Sequence, residues 1–211
     1  SAAAVKMARF LSEEPGVWSK IMDESTKQYE AGRSKQKKTT REKALMPKGG
    51  FAAVSKAAAK LREALPKDVS DLKGLMRLQD AWLLSFFSKH TPRLINDVSI
   101  GKGVNSITKV GKGWKITLGQ HKTSKHRGAS VIKLDKSLNE LTGRLVGASK
   151  KLTKHDKLLS APRGGTMSKS QLSRRLTQIT GKALGRGFSA QILRVLKSTS
   201  MASEIKKIRE H

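Results

Sequence analysis

Positive charge is the densest chemistry in this sequence. Between Gly32 and Gly50 the chain carries Arg33, Lys35, Lys37, Lys38 and Arg41 in a segment with few apolar residues. Guanidinium and ammonium groups crowded in this way bond phosphate oxygens and displace condensed counterions, so what they offer is polyanion binding. A simply solvated linker is the bland alternative. The whole chain shares the bias, because 44 Lys+Arg against 16 Asp+Glu leave a formal charge of +28 on 211 residues. Self-repulsion on that scale is relieved by a phosphate backbone. Anionic lipid surfaces attract the same charge, but no long apolar run and no lipidation motif accompanies it, and no membrane partner is expected.

Other chemistries are thinly supplied. There is no cysteine, which excludes disulfides, thiolate zinc sites and thiol nucleophiles. The five histidines, His90, His121, His126, His155 and His211, show no ligand spacing with carboxylates, and neither a metal nor a nucleotide cofactor is expected. Gly101-Lys102-Gly103 and Gly111-Lys112-Gly113 are too short for a phosphate-cradling loop and read as turns. The one tyrosine is Tyr29.

Three segments, in order, resemble the signatures of the tyrosine recombinase (integrase) family. Trp82-Leu-Leu-Ser-Phe-Phe-Ser-Lys-His-Thr-Pro-Arg93-Leu-Ile-Asn96-Asp97 resembles the first, an apolar helix that delivers an arginine with an acidic residue shortly after. It looks most like the version found in eukaryotic transposon and large-virus recombinases. Ile116 to Leu134 resembles the family's β-hairpin, with Lys122-Thr123 at the tip. Gln191-Ile192-Leu193-Arg194 resembles the His-x-x-Arg box.

The resemblance implies that Arg93 and Arg194 clamp a scissile phosphate with planar bidentate forks. It also implies that Lys122, with Lys125 as its rival, protonates the leaving 5′ oxygen, and that Asp97 supports the loop after Arg93. Gln191 stands where the family has histidine, which keeps a hydrogen bond to phosphate but gives up proton transfer near neutral pH. The run Ile205 to His211 resembles the approach to the next box, a Gly-His pair followed by the nucleophilic tyrosine. Either His211 is that histidine or the histidine lies just past it. The sequence given stops there, and Tyr29 lies far upstream, so a covalent phosphotyrosyl step is not expected of this chain. Read without the family, Arg93 is a cation closing a helix, where the dipole favours it, and Asp97 merely opens a strand.

Positioning these groups falls to a mostly helical frame. Helices are expected over Ala2–Leu11, over Pro15–Ala31 with Trp18, Ile21, Met22 and Tyr29 on the buried side, and over Phe51–Leu65. Another spans Ser70–Lys89, where Leu72, Leu75, Met76, Trp82, Leu83, Phe86 and Phe87 recur with helical period. Short strands are expected at Asp97–Ile100, Trp114–Leu118 and Ser130–Leu134. Helices return at Lys136–Leu145, Ser168–Leu184 and Ser189–Leu196, with a last one opened by Ser203. The class is therefore α+β, mostly helical with a small three-stranded antiparallel sheet. The expected organisation is a helical segment over 1–32, a basic linker over 33–50 and a recombinase-like catalytic domain over 51–211.

The expected partner is double-stranded DNA, held by a domain of the class that cuts and rejoins strands through a 3′-phosphotyrosyl intermediate, inactive as given, with a homotetramer on DNA implied by the family. The alternative is a non-catalytic DNA-coating or architectural protein on the same scaffold. A third reading, an RNA-binding protein, is disfavoured by an aromatic content of only 4%, since single-strand binders stack bases on aromatic platforms. The opening Ser1-Ala2-Ala3-Ala4 carries no signal-peptide core, and a nucleus or other DNA-containing compartment is expected.

Overall fold

The structure, a computed structural model, describes residues 20, 23–28, 31, 47, 49–90, 95–120 and 128–209, with 202–209 as helix backbone only. The chain divides into two units, Ser1–Leu45 and Met46–His211. In the first, residues 23–28 are helical and exposed. The expected Ala2–Leu11 helix, the side chains Trp18, Ile21, Met22 and Tyr29, and nearly all of the basic linker lie outside the described residues.

The second unit begins with α1 (Gly50–Glu63), entered through Gly49 in the left-handed region at φ 85°. Its small residues Ala57 and Ala58, with Val54, let it lie close on its neighbours. Then comes α2 (Leu72–Lys89), started by Asp71, whose carboxylate accepts from the Gly74 N–H at 2.6 Å. From Ala81 to Ser88 every residue of α2 is buried, so this helix is enclosed on all sides and not merely amphipathic. Trp82 stacks on Phe86 with centroids 4.9 Å apart, and Phe87 meets Phe86 edge-on at 5.9 Å. Truncating any one of these rings would cost about 3–5 kcal/mol.

A four-stranded mixed sheet follows, in the order β1 (Ser99–Ile100), β2 (Asn105–Val110), β3 (Gly113–Leu118), β4 (Ser130–Lys133). It replaces the expected three-stranded antiparallel sheet. β1 runs parallel to β2, while β2–β3 and β3–β4 are antiparallel. The added strand is β2, whose Asn105, Ser106, Thr108 and Lys109 give no apolar alternation. Its place is set by backbone pairing across the Gly111-Lys112 turn, with Ile107 opposite Ile116 as the apolar anchor.

Three further helices complete the fold: α3 (Lys136–Leu152), α4 (Lys169–Leu184) and α5 (Ala190–Arg209). Two expected boundaries are corrected. α3 continues past Leu145, and α5 runs through Ser203 without a break, because neither a proline nor a left-handed glycine interrupts them. Packing proceeds in layers. The inner face of the sheet meets α3, where Gly143 lets helix and Trp114 indole approach closely. α3 meets α2 through a buried Trp82 indole N–H donating to Thr142 at 2.8 Å. α2 in turn meets α1, α4 and α5. Arg175 fastens α4 to α2, its guanidinium bonding Asp80 at 2.6 Å and the Met76 carbonyl at 2.8 Å.

Candidate nucleic-acid interface

Of the residues singled out from the sequence, Gln191, Arg194 and the supporting Asp97 lie in the described structure. Arg93, Lys122, Lys125, His211 and the linker cations Arg33, Lys35, Lys37, Lys38 and Arg41 lie outside it, and the structure places the elements that flank the first three. Both Gln191 and Arg194 sit at the start of α5, where i and i+3 share one face. Gln191 is exposed and Arg194 is half-buried.

The sequence just before α5 explains how that helix end is fixed. Ser168 and Gln171 form a reciprocal capping box that starts α4, and Gly185, left-handed at φ 72°, ends it. Gly187 then passes so close to Thr177 that a β-carbon there would lie 2.5 Å from its Cγ2 and 2.9 Å from its carbonyl oxygen. The Thr180 hydroxyl accepts from the Phe188 N–H at 2.7 Å, and Phe188 is fully buried. Gln191 and Arg194 are thus carried by a turn with little freedom.

Farther along α5, Lys197 donates to the carbonyl of Lys89, the last residue of α2. A cation there neutralises an orphan carbonyl at the negative end of the α2 dipole. Lys89 in turn bonds the Asp135 carboxylate and, at 2.7 Å, the Ser137 hydroxyl, at the start of α3. Burial lowers the pKa of the Lys197 ammonium. The C-terminus of α2, the N-terminus of α3 and α5 therefore meet at one junction, from which the chain leads toward Arg93.

A second junction holds the other candidate segment. Asn105, at the start of β2, donates from Nδ2 to the Asp97 carboxylate at 2.7 Å and to the Gln120 carbonyl at 3.2 Å, while its Oδ1 accepts from the Gln120 N–H at 3.0 Å. Next to it, the Gly119 N–H donates to the Val104 carbonyl at 3.0 Å. Asn105 thereby ties Asp97, in the segment after Arg93, to the base of the β3–β4 connection that contains Lys122 and Lys125. Neither Asn105 nor Lys197 was singled out from the sequence. Each acts through partners distant along the chain, and the only local hint was a polar Asn-Ser pair between two glycine-rich turns.

Among the described residues no helix is long and apolar enough to cross a membrane, and no group of three or more metal-binding side chains is gathered. No protein-family model and no curated protein matches this chain. Among solved structures it is similar to the XerH site-specific recombinase bound to its difH substrate in a pre-cleavage complex, at 14% identity and a TM-score of 0.45. The similarity covers 73% of this chain and 41% of that one, so the chain spans about two-fifths of that recombinase's length.

Proposed function

We propose that this chain is a double-stranded-DNA-binding domain on a tyrosine-recombinase-like plan, in which Arg93, Lys122 and Arg194 gather around one phosphodiester. The observation that carries the reading is the pair of junctions. Lys197 holds the helix of Arg194 against the end of α2 from which the chain leads to Arg93, and Asn105 holds Asp97 against the base of the Lys122 segment. Three separate stretches of sequence that resemble the family's signatures are thus tied to one another by polar contacts. The +28 charge supplies the long-range attraction to a phosphate backbone.

Two arginine forks and an ammonium would stabilise charge developing on a phosphate and would fix its orientation. Gln191 can hydrogen-bond the same phosphate but cannot exchange a proton near neutral pH. That single residue favours a second reading, in which the scaffold holds DNA without cutting it.

The test is binding to a duplex at fixed salt. Arg194→Lys keeps the charge and loses the fork, and Arg93→Ala loses both. Each should weaken binding about tenfold or more, as expected for a charge-assisted hydrogen bond, whereas Lys37→Ala should change it by only a small factor. Equal losses from all three would mean that no specific phosphate site exists.

A further inference from the structure

The register of the sheet sorts its side chains into two faces. Trp114, Ile116 and Leu118 of β3, with Ile107 of β2 and Ile132 of β4, point inward, where Ile107 and Ile116 are fully buried. The opposite face carries the rows Thr108–Lys115–Lys133 and Ser106–Thr117–Val131. Lys115 and Lys133 are directly paired neighbours on adjacent strands, and Val131 beside them is 55% exposed.

Like charges set directly opposite each other on a sheet are destabilising, and proteins normally relieve such a pair with an acid nearby. None lies between them in the sequence. No acidic residue occurs between Asp97 and Asp135, a stretch that also contains Lys102, Lys109 and Lys112. The ion pairs Lys89–Asp135 and Arg175–Asp80 both lie off this face. At the β1 end, Lys157 reaches Ser99 at 2.8 Å and adds a further cation to the same side. This face is moreover separated from the Arg194 helix in the packing order, since α3 covers the inner side of the sheet and α2 lies between α3 and α5.

We propose that the outer face of the sheet is a second, sequence-independent binding surface for the phosphate backbone of duplex DNA, with Lys115 and Lys133 as its contacts. It takes a stretch of duplex other than the one under Arg194. The proposal rests on the DNA-binding reading above only for the identity of the polyanion. Its paired lysine ammoniums offer donors and charge without base-edge readout, which suits backbone contact.

The experiment is a salt titration of binding to a random-sequence duplex by the full chain, by Lys115→Gln/Lys133→Gln, and by the control Lys56→Gln/Lys60→Gln. The control pair is exposed on α1, which packs against α2, α4 and α5. Each phosphate contact contributes about 0.9 to the slope of log affinity against log salt. The sheet variant should therefore lose about two from that slope, and the control should lose much less. Thermal unfolding without DNA should show the sheet variant at least as stable as the parent, because the repulsion between its strands has been removed. An unchanged slope, or an equal loss in the control, would overturn the proposal while leaving wild-type binding in place. A parent chain that binds no duplex at all would remove the DNA reading itself.

Discussion

Asp135 shows how much one side chain does at the junction of α2, α3 and α5. Its carboxylate caps α3 by accepting from the Leu138 N–H at 3.0 Å, and it also pairs with Lys89. Burial alone would push its pKa up, but bonds from Lys89, the Leu138 N–H and the Ser137 hydroxyl outweigh that and hold it at about 2. A carboxylate depressed below its unfolded value contributes stability that is complete above that value and is lost as pH falls through the folded one. Asp135→Asn keeps a capping oxygen and loses the charge. It should cost about 1 kcal/mol near neutral pH, less than the full shift implies because the group is half exposed. In urea unfolding the gap between variant and parent should close as pH falls from about 4 to about 2. A gap that did not change with pH would show that packing, not charge, was lost. His90 beside it acts in the same direction but at a higher pH. Burial, with help from Lys197 and Lys89, lowers its pKa against the pull of Asp135, so it costs stability as pH drops below its ordinary 6.5.

Elements explain what could and could not be seen in advance. The apolar period of α2 and the Ser168 cap of α4 are local signals, and both helices are where those signals put them. β2 gave no such signal, because its first two residues, Asn105 and Ser106, are buried polar groups. For the candidate site, what was legible is the helix that carries two of its residues. Gln191 and Arg194 lie at the start of a helix as expected, while the residues that tie the segments together depend on contacts no local pattern encodes. Glycines make the point testable. A β-carbon at Gly119 would lie 2.7 Å from the Val104 carbonyl oxygen, whereas one at the exposed Gly147 in α3 would meet nothing within 4 Å. Gly119→Ala should destabilise by about 1–3 kcal/mol as the base of the β3–β4 connection is forced open. Gly147→Ala should stabilise by about 0.5–1 kcal/mol through helix propensity. Chemical denaturation of the two variants reads both signs, and a neutral Gly119→Ala would mean that this base is not tightly closed.

At the scale of the whole molecule, net charge opposes the compact state. With +28 on the chain, repulsion between cations outweighs the ion pairs available to offset it, and salt screens that repulsion over about 10 Å at 0.1 M. Raising neutral salt from about 0.05 M to about 0.5 M should therefore raise the melting temperature while weakening DNA binding, two opposite responses from one cause. A melting temperature that fell with salt would show attractive ion pairs to dominate instead. The two tryptophans of the second unit sit in contrasting surroundings. Trp82 is sealed between α2 and α3, stacked on Phe86 and bonded to Thr142, whereas Trp114 is half-buried in β3 next to Lys115 and across from Lys109. Their fluorescence should separate accordingly. Trp82 emits from an apolar, quencher-shielded cage that reports whether the core is intact, and Trp114, whose indole lies beside Gly143 of α3, reports whether the sheet stays packed on that helix. The fold thus carries two optical reporters of its own, one for the helical core and one for the seam between sheet and helix.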